Sequence, residues 1–346
     1  MRTNLSMVLS LVVVTSCSSE AVAPPPRPPV GSLEPVTVLG PQTDTVTAKE
    51  RAIPDLYVKA LTSPPGDGGA RFAELAPLLN ADLAGFSSPG MAPAHEPAAI
   101  VAAHDQLFGA FDDRKMMLSR VWRTPSEQSL EWTMSGTQAR EWKGIAPTHR
   151  PVVFRGVTLL WTKDDGSITD IHVYFDVALV KAQLGAGPKE LQALPVPAMP
   201  TGAPQVLDQA QTASPEENRN VALVKSALDA LESNKEASFV DAMADDVEVN
   251  ALERATPERG KGEQRAYYKA MHKAIGQLDT TVFSAWGVGD FAVVEYSIGG
   301  EQLGPILWIP AQRDKVVRFE IVDVCELRDG KIARVWRYDN PIQIAD

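Results

Sequence analysis

Cysteine is nearly absent from this chain: its 346 residues contain only Cys17 and Cys325. A disulfide-stapled scaffold is thereby excluded, and a folded part of this size must rely on apolar burial. Apolar runs of membrane-spanning length are missing too. The run Leu5 to Val14 is interrupted by Ser6 and Ser10 and falls short of the roughly 20 residues a spanning helix needs. An excess of positive charge is also lacking. Lys and Arg number 33 against 44 Asp and Glu, for a net charge of −11, which excludes a nucleic-acid partner and broad adhesion to anionic lipid. The five histidines (95, 104, 149, 172 and 272) show no H-x-H or H-E-x-x-H spacing, so no metal is expected. No phosphate-cradling glycine loop and no serine nucleophile elbow occur either, and no cofactor is implied.

What is there begins with MRTNLSMVLSLVVVTSC. Arg2, a short apolar run and small residues before Cys17 have the layout of an export signal. The end of that stretch resembles the bacterial lipobox, which implies cleavage before Cys17 and lipidation of its thiol. The expected product is an exported lipoprotein held to a membrane, in the periplasm or at the cell surface of a bacterium. Residues 18–48 follow, with Pro24, Pro25, Pro26, Pro28 and Pro29. This composition favours extended polyproline conformations and suits a tether. A second proline-rich stretch, 186–213, reads as a linker.

Two segments of similar size remain, 49–185 and 214–346. Each reads as helices first and strands afterwards, which implies an α+β fold. In the first, helices are expected over 49–61, 71–80 and 96–111, with Ile100, Ala103, Leu107 and Phe111 on one stripe. Strands are expected over 115–123, 129–136, 151–161 and 167–175, and a helical turn over 176–184. In the second, Ser214, Pro215 and Glu217 form a helix start. Asn234 is expected to cap a helix reaching Met243, and 262–275 to form a third. Strands are expected over 280–286, 291–298, 306–309, 315–327 and 331–338. Asp165-Gly166 and Asp329-Gly330 are hairpin signals at matching positions, so the halves read as an internal duplication. Cys325, among Phe319, Ile321 and Leu327, reads as a buried, inert thiol.

Gly136-Thr137, Gly144-Ile145-Ala146-Pro147-Thr148, Asp165-Gly166, Tyr174-Phe175-Asp176 and the ending Val180 to Gly185 stand in an order and spacing that resembles the SnoaL-like polyketide cyclase and ester cyclase branch of the nuclear transport factor 2-like superfamily. The resemblance is clearest over 96–185 and looser over 214–346. It implies tandem cone-shaped α+β-barrel domains, each a curved mixed sheet around helices with a pocket at the wide end. It also implies an acid–base aspartate at Asp176. Departures from the family pattern are Gln138, where relatives carry histidine, and His149, where glycine is usual.

Strand periodicity groups Asp170, His172, Tyr174 and Asp176 on one face. An aspartate in an apolar pocket has its pKa raised toward neutrality, and Tyr174 and His172 could then hydrogen-bond an oxygen where charge develops. Asp176 equally suits the N-cap of the following helix. Asn340 stands in the second half where Asp176 stands in the first, so that half is expected to lack the aspartate, with Asp339 pointing to the other face. Trp132, Trp161, Trp336 and Tyr338 are candidate ligand contacts, although core packing is the commoner use of tryptophan.

The strand 152–161 is apolar on both faces, one more than a sheet with helices on one side requires. The second half is expected to cover that surplus face, giving an intramolecular pseudo-dimer. Three functions fit: an envelope lipoprotein binding a small hydrophobic molecule, a cyclase or isomerase using Asp176, and a non-catalytic interaction scaffold.

Overall fold

The computed structural model describes residues 47–64, 71–200, 206–312, 315–341 and 343. Cys17, the expected signal and nearly all of the tether lie outside the described residues.

The first domain opens on α1 (Ala48–Thr62), whose start is a capping box: Glu50 N–H donates to the Thr47 hydroxyl and Thr47 N–H to the Glu50 carboxylate. The helix expected over 71–80 is a short 3₁₀ segment, Ala73–Leu78, with Pro77 inside it. Proline removes an amide donor and keeps such a turn short. Two short strands, β1 (Gly85–Ser87) and β2 (Ala94–His95), precede α2 (Pro97–Phe108), which buries the stripe Ile100, Ala103 and Leu107. The long strands β3 (Phe111–Arg123), β4 (Glu127–Gln138), β5 (Pro151–Thr162) and β6 (Ile168–Tyr174) follow, then α3 (Val177–Gln183).

The proline-rich stretch expected as a plain linker carries structure. It holds a single turn, α4 (Lys189–Gln192), and a strand, β7 (Leu207–Ala210), which pairs parallel with β3. Asp208 fixes it there through a two-pronged contact with Arg123, at 2.8 and 3.0 Å.

The second domain repeats the plan. Ser214 and Glu217 form the expected capping box of α5 (Pro215–Glu232). Asn234 does not cap the next helix. It sits at φ 55° with its side chain accepting from the Tyr268 hydroxyl, and α6 (Glu236–Asp241) starts two residues later, after Lys235, without a side-chain cap. Then come β8 (Met243–Ala251), β9 (Glu258–Arg259), α7 (Gly260–Ala274), β10 (Ile275–Val288), β11 (Phe291–Gln302), β12 (Val316–Arg328) and β13 (Lys331–Asp339). The strand expected at 306–309 is only a tight turn closed by Ile306 and Ile309, which exchange amide bonds of 3.0 and 2.8 Å. Trp142 and Ile145 close the matching turn of the first domain. Asp329 and Gly330 both have positive φ, as a two-residue hairpin turn that follows the strand twist demands.

The strands form two open mixed sheets, ordered β2-β1-β6-β5-β4-β3-β7 and β10-β11-β12-β13-β8-β9. The expected barrels do not close. Each sheet packs its inner face on its own helices: Ile100, Trp132 and Phe154 belong to the first core, and Leu228, Val294 and Ile321 to the second. A third cluster lies between the sheets and joins Trp122, Val157, Leu159 and Tyr174 to Trp286, Val293, Val322, Val324 and Tyr338. The surplus apolar face of β5 is covered by β11, β12 and β13. Each fully buried side chain of this size stabilises the contact by about 1.5–3 kcal/mol.

Candidate functional site

On β6, His172 and Tyr174 share the face turned toward the second sheet, and both reach Glu295 on β11. The His172 Nδ1–H and the Tyr174 hydroxyl donate to Glu295 Oε1, each at 2.6 Å. The mirror contact exists as well. Tyr338 on β13 donates to Glu131 on β4 at 2.5 Å. Tyr174 and Tyr338 occupy matching places after their Asp-Gly turns, and Glu131 and Glu295 matching places on their strands, so the seam has the self-complementary pattern of a two-fold interface. Both carboxylates are fully buried. Each has a cation, but from different sources. Glu131 pairs with Arg120 of its own domain at 2.5 Å, whereas the register-equivalent position opposite Glu295 is Ser284, and the cation comes from His172 across the seam. Burial alone would lower the His172 pKa, but Glu295 and Asp170 outweigh it and raise the imidazole to about 9.

The inner faces of the two sheets differ. In the first domain Trp132, Phe154 and Phe175 pack together with Phe108, at ring separations of 5.2–6.3 Å. The one titratable pair among them is neutral. His104 Nδ1–H donates to Ile100 O at 2.8 Å and Nε2 accepts from the Tyr57 hydroxyl at 3.1 Å, while burial lowers the histidine pKa to about 4. In the second domain the register-equivalent places carry Tyr296 for Trp132, Asp323 for Thr158 and Arg337 for Val173. Arg337 grips Asp323 with two bonds of 2.9 and 2.8 Å, and the Tyr296 hydroxyl donates to the same carboxylate at 2.9 Å. Asp339 lies on this inner face, matching Phe175.

Asp176 takes part in neither interior. It ends β6 and caps α3: its Oδ1 accepts from Ala178 N–H at 2.7 Å and Leu179 N–H at 3.1 Å. Asn340, its counterpart, assists from the second domain, accepting from Val177 N–H at 3.2 Å and donating to Pro89 O at 3.1 Å. Asp176 Oδ2 is buried and has no partner. It faces a cavity of about 320 Å³ walled by β5 (Val153, Phe154), α3 (Leu179), the linker (Leu191, Leu194, Val196) and, after β8, Leu252, Arg254 and Ala255. Burial, and next the charge of Glu253, raise the Asp176 carboxyl to about 7. Glu253 Oε2 and Asp339 Oδ1 are likewise buried without partners. Burial raises both carboxyls: Asp339 goes far above the usual range with added repulsion from Glu253 and Asp176, and Glu253 rises although Arg337 and Arg254 partly offset its burial.

The candidate residues therefore fall in three places. Asp176 lines the seam cavity. His172, Tyr174, Trp161, Trp336 and Tyr338 belong to the contact between sheets, where Trp336 lies 3.5 Å beneath the Arg120 guanidinium. Trp132 is in the first core, its indole N–H donating to the Thr158 hydroxyl at 3.0 Å. The family departure Gln138 is a loop organiser: its amide donates to Arg140 O, Ile145 O and Ala146 O and accepts from Thr148. Gln302 holds the matching loop through Gly304 O and Pro310 O. Glu131, Glu295 and Glu253 were not anticipated; the matching placement of the first two in the repeats, each between two apolar residues, was the available signal. Among the described residues no group of three or more histidine, cysteine, aspartate or glutamate side chains is arranged to hold a metal ion. No described helix is long and apolar enough to cross a membrane.

No curated protein matches the sequence. Solved structures that match include a protein described as a SnoaL-like polyketide cyclase from Jannaschia sp. CCS1, at 20% identity over 38% of this chain and 92% of that one, TM-score 0.35. An LEH-like epoxide hydrolase of M. tuberculosis matches at 19% identity over 38% of this chain and 90% of its own, TM-score 0.32. A protein of Pseudomonas putida KT2440 described as a polyketide cyclase matches at 19% identity over 36% and 93%, TM-score 0.30. The model of the SnoaL-like polyketide cyclase family matches twice, over residues 71–184 and 222–345, one match per domain and together well over half of the chain. The chain belongs to the SnoaL-like polyketide cyclase family, in which it carries two tandem copies of the family fold.

Proposed function

We propose that this protein is an exported lipoprotein, anchored through Cys17, that binds a small hydrophobic molecule in the cavity at the seam of its two domains. The observation that carries the reading is Asp176: a buried carboxylate with one oxygen unpartnered, facing a space of about 320 Å³ whose walls include Leu179, Leu191, Leu194 and Val196. Ligand sites combine apolar walls with a few placed polar groups, and this volume is at the small end of their range. Native mass spectrometry of protein purified from membranes tests it. A bound small-molecule mass is expected, and it should be lost when Leu194→Trp fills the cavity. Equal spectra from both proteins would overturn the proposal.

A second reading, proton transfer by Asp176 as in a cyclase or isomerase, is favoured by the carboxyl raised to about 7. A group poised near neutrality can both give and take a proton. Under this reading Asp176→Asn abolishes turnover of a carbonyl substrate while leaving its binding within a few-fold. We also propose that the chain is an intramolecular pseudo-dimer and otherwise monomeric, supported by the reciprocal Tyr174–Glu295 and Tyr338–Glu131 bonds. A sedimentation mass of two chains would contradict this.

A further inference from the structure

Three buried carboxylates gather at and behind the inner end of the seam cavity, where Asp176 lines it and Glu253 and Asp339 act on one another and on Asp176. Asp176, Glu253 and Asp339 each keep one buried oxygen without a partner, and Asp176 and Asp339 are only 2% and 4% exposed. They come from three separate segments, the end of β6, the turn after β8 and the end of β13, so no single turn or cap explains their convergence. The cations nearby are engaged elsewhere. Arg337 is held by both oxygens of Asp323, and Arg254 pairs with Glu258 at 3.2 Å. Arg155 and Arg254 are exposed side chains of the cavity lining, and the charges of Arg337 and Arg254 only partly offset the burial of Glu253. A buried carboxylate without a partner is strongly unfavourable, and a proton or a cation relieves it.

We propose that the guest of this cavity is an organic ammonium compound. Its charged head is held by Asp176 Oδ2, with the charge of Glu253 behind that carboxylate, and its apolar body lies against Leu179, Leu191, Leu194 and Val196. The proposal rests on the reading of the cavity as a binding site and adds the chemical class of its guest. An ammonium group supplies three donors, enough for unpartnered oxygens that no side chain of the protein reaches. The apolar wall rejects small inorganic cations, which would keep their water, and favours an amine with a hydrocarbon body.

The test compares n-hexylammonium, 1-hexanol and hexanoate by calorimetric titration of the full chain. Hexylammonium is expected to bind at least about tenfold more tightly than hexanol, since a charge-assisted hydrogen bond exceeds a neutral one by that order. Asp176→Asn should remove this preference, because asparagine preserves the cap of α3 but carries no charge. Glu253→Gln should reduce the preference several-fold. Equal affinity for hexylammonium and hexanol, or tighter binding of hexanoate, overturns the ammonium assignment while leaving the cavity as a site for apolar guests. Binding of none of the three overturns both.

Discussion

Replacing His172 by glutamine removes a cation bonded to Glu295 while keeping a side chain of similar reach. The groups around His172 are Glu295 from β11, Asp170 from its own strand at 3.3 Å, the Trp161 ring at 4.5 Å and Tyr174. Its pKa is raised from 6.5 to about 9. Each pKa unit corresponds to 1.36 kcal/mol, so the charged imidazole contributes about 3 kcal/mol of stability. The sign follows from the direction of the shift. A raised pKa gives a contribution fully present below pH 6.5, diminishing through the interval up to pH 9 and absent above it. Guanidinium unfolding of the natural protein and of His172→Gln, measured from pH 6 to pH 10, should show a stability gap of about 3 kcal/mol at pH 6 that shrinks to nearly nothing at pH 10. An imidazole resonance titrating near 9 would accompany it. Two parallel profiles, with a gap independent of pH, would refute the assignment of a charged His172 at the seam.

Gly156 on β5 lies beneath Trp132, and a Cβ there would come within 2.4 Å of the indole and 2.6 Å of Tyr174 O. Gly156→Ala should therefore destabilise the chain by about 1–3 kcal/mol in denaturant unfolding, as overpacking does, and an unchanged midpoint would contradict the packing. Asp176→Asn should leave the helical circular dichroism signal unchanged, because either residue caps α3, and loss of helix would show that the carboxylate charge is structural. Cys17→Ser should move the protein from the membrane fraction to the soluble exported fraction, and an unchanged membrane pool would remove the anchor from the proposal.

The duplication was legible because Asp165-Gly166 and Asp329-Gly330 are turn signals whose chemistry is local. The sheet-to-sheet contact was legible in β5, where residues of both parities are apolar. Local periodicity could not reveal β7, since Leu207–Ala210 is held by Arg123, more than 80 positions earlier. The seam cavity was equally hidden, because its walls come from four separated segments. His172 and Tyr174 stood out as a polar face, but a polar strand face does not reveal whether it meets a substrate, water or the carboxylate of a second sheet. Asp176 was open to two readings, cap and pocket group, and both describe it: one oxygen caps, the other faces the cavity.

The unequal sources of charge at the seam have a consequence for ancestry and assembly. If two first domains met through this face, each Glu131 would face both Arg120 and His172, two cations for one carboxylate. If two second domains met, Trp336 would stand where His172 stands, and Glu295 would lose the imidazole. Only the mixed pair gives Arg120 to one carboxylate and His172 to the other. A symmetric homodimer cannot hold such an arrangement, because every substitution in it appears twice. A single chain is free of that restriction: each half carries its own substitutions, and unequal charge of this kind favours the mixed pair over a pair of like halves.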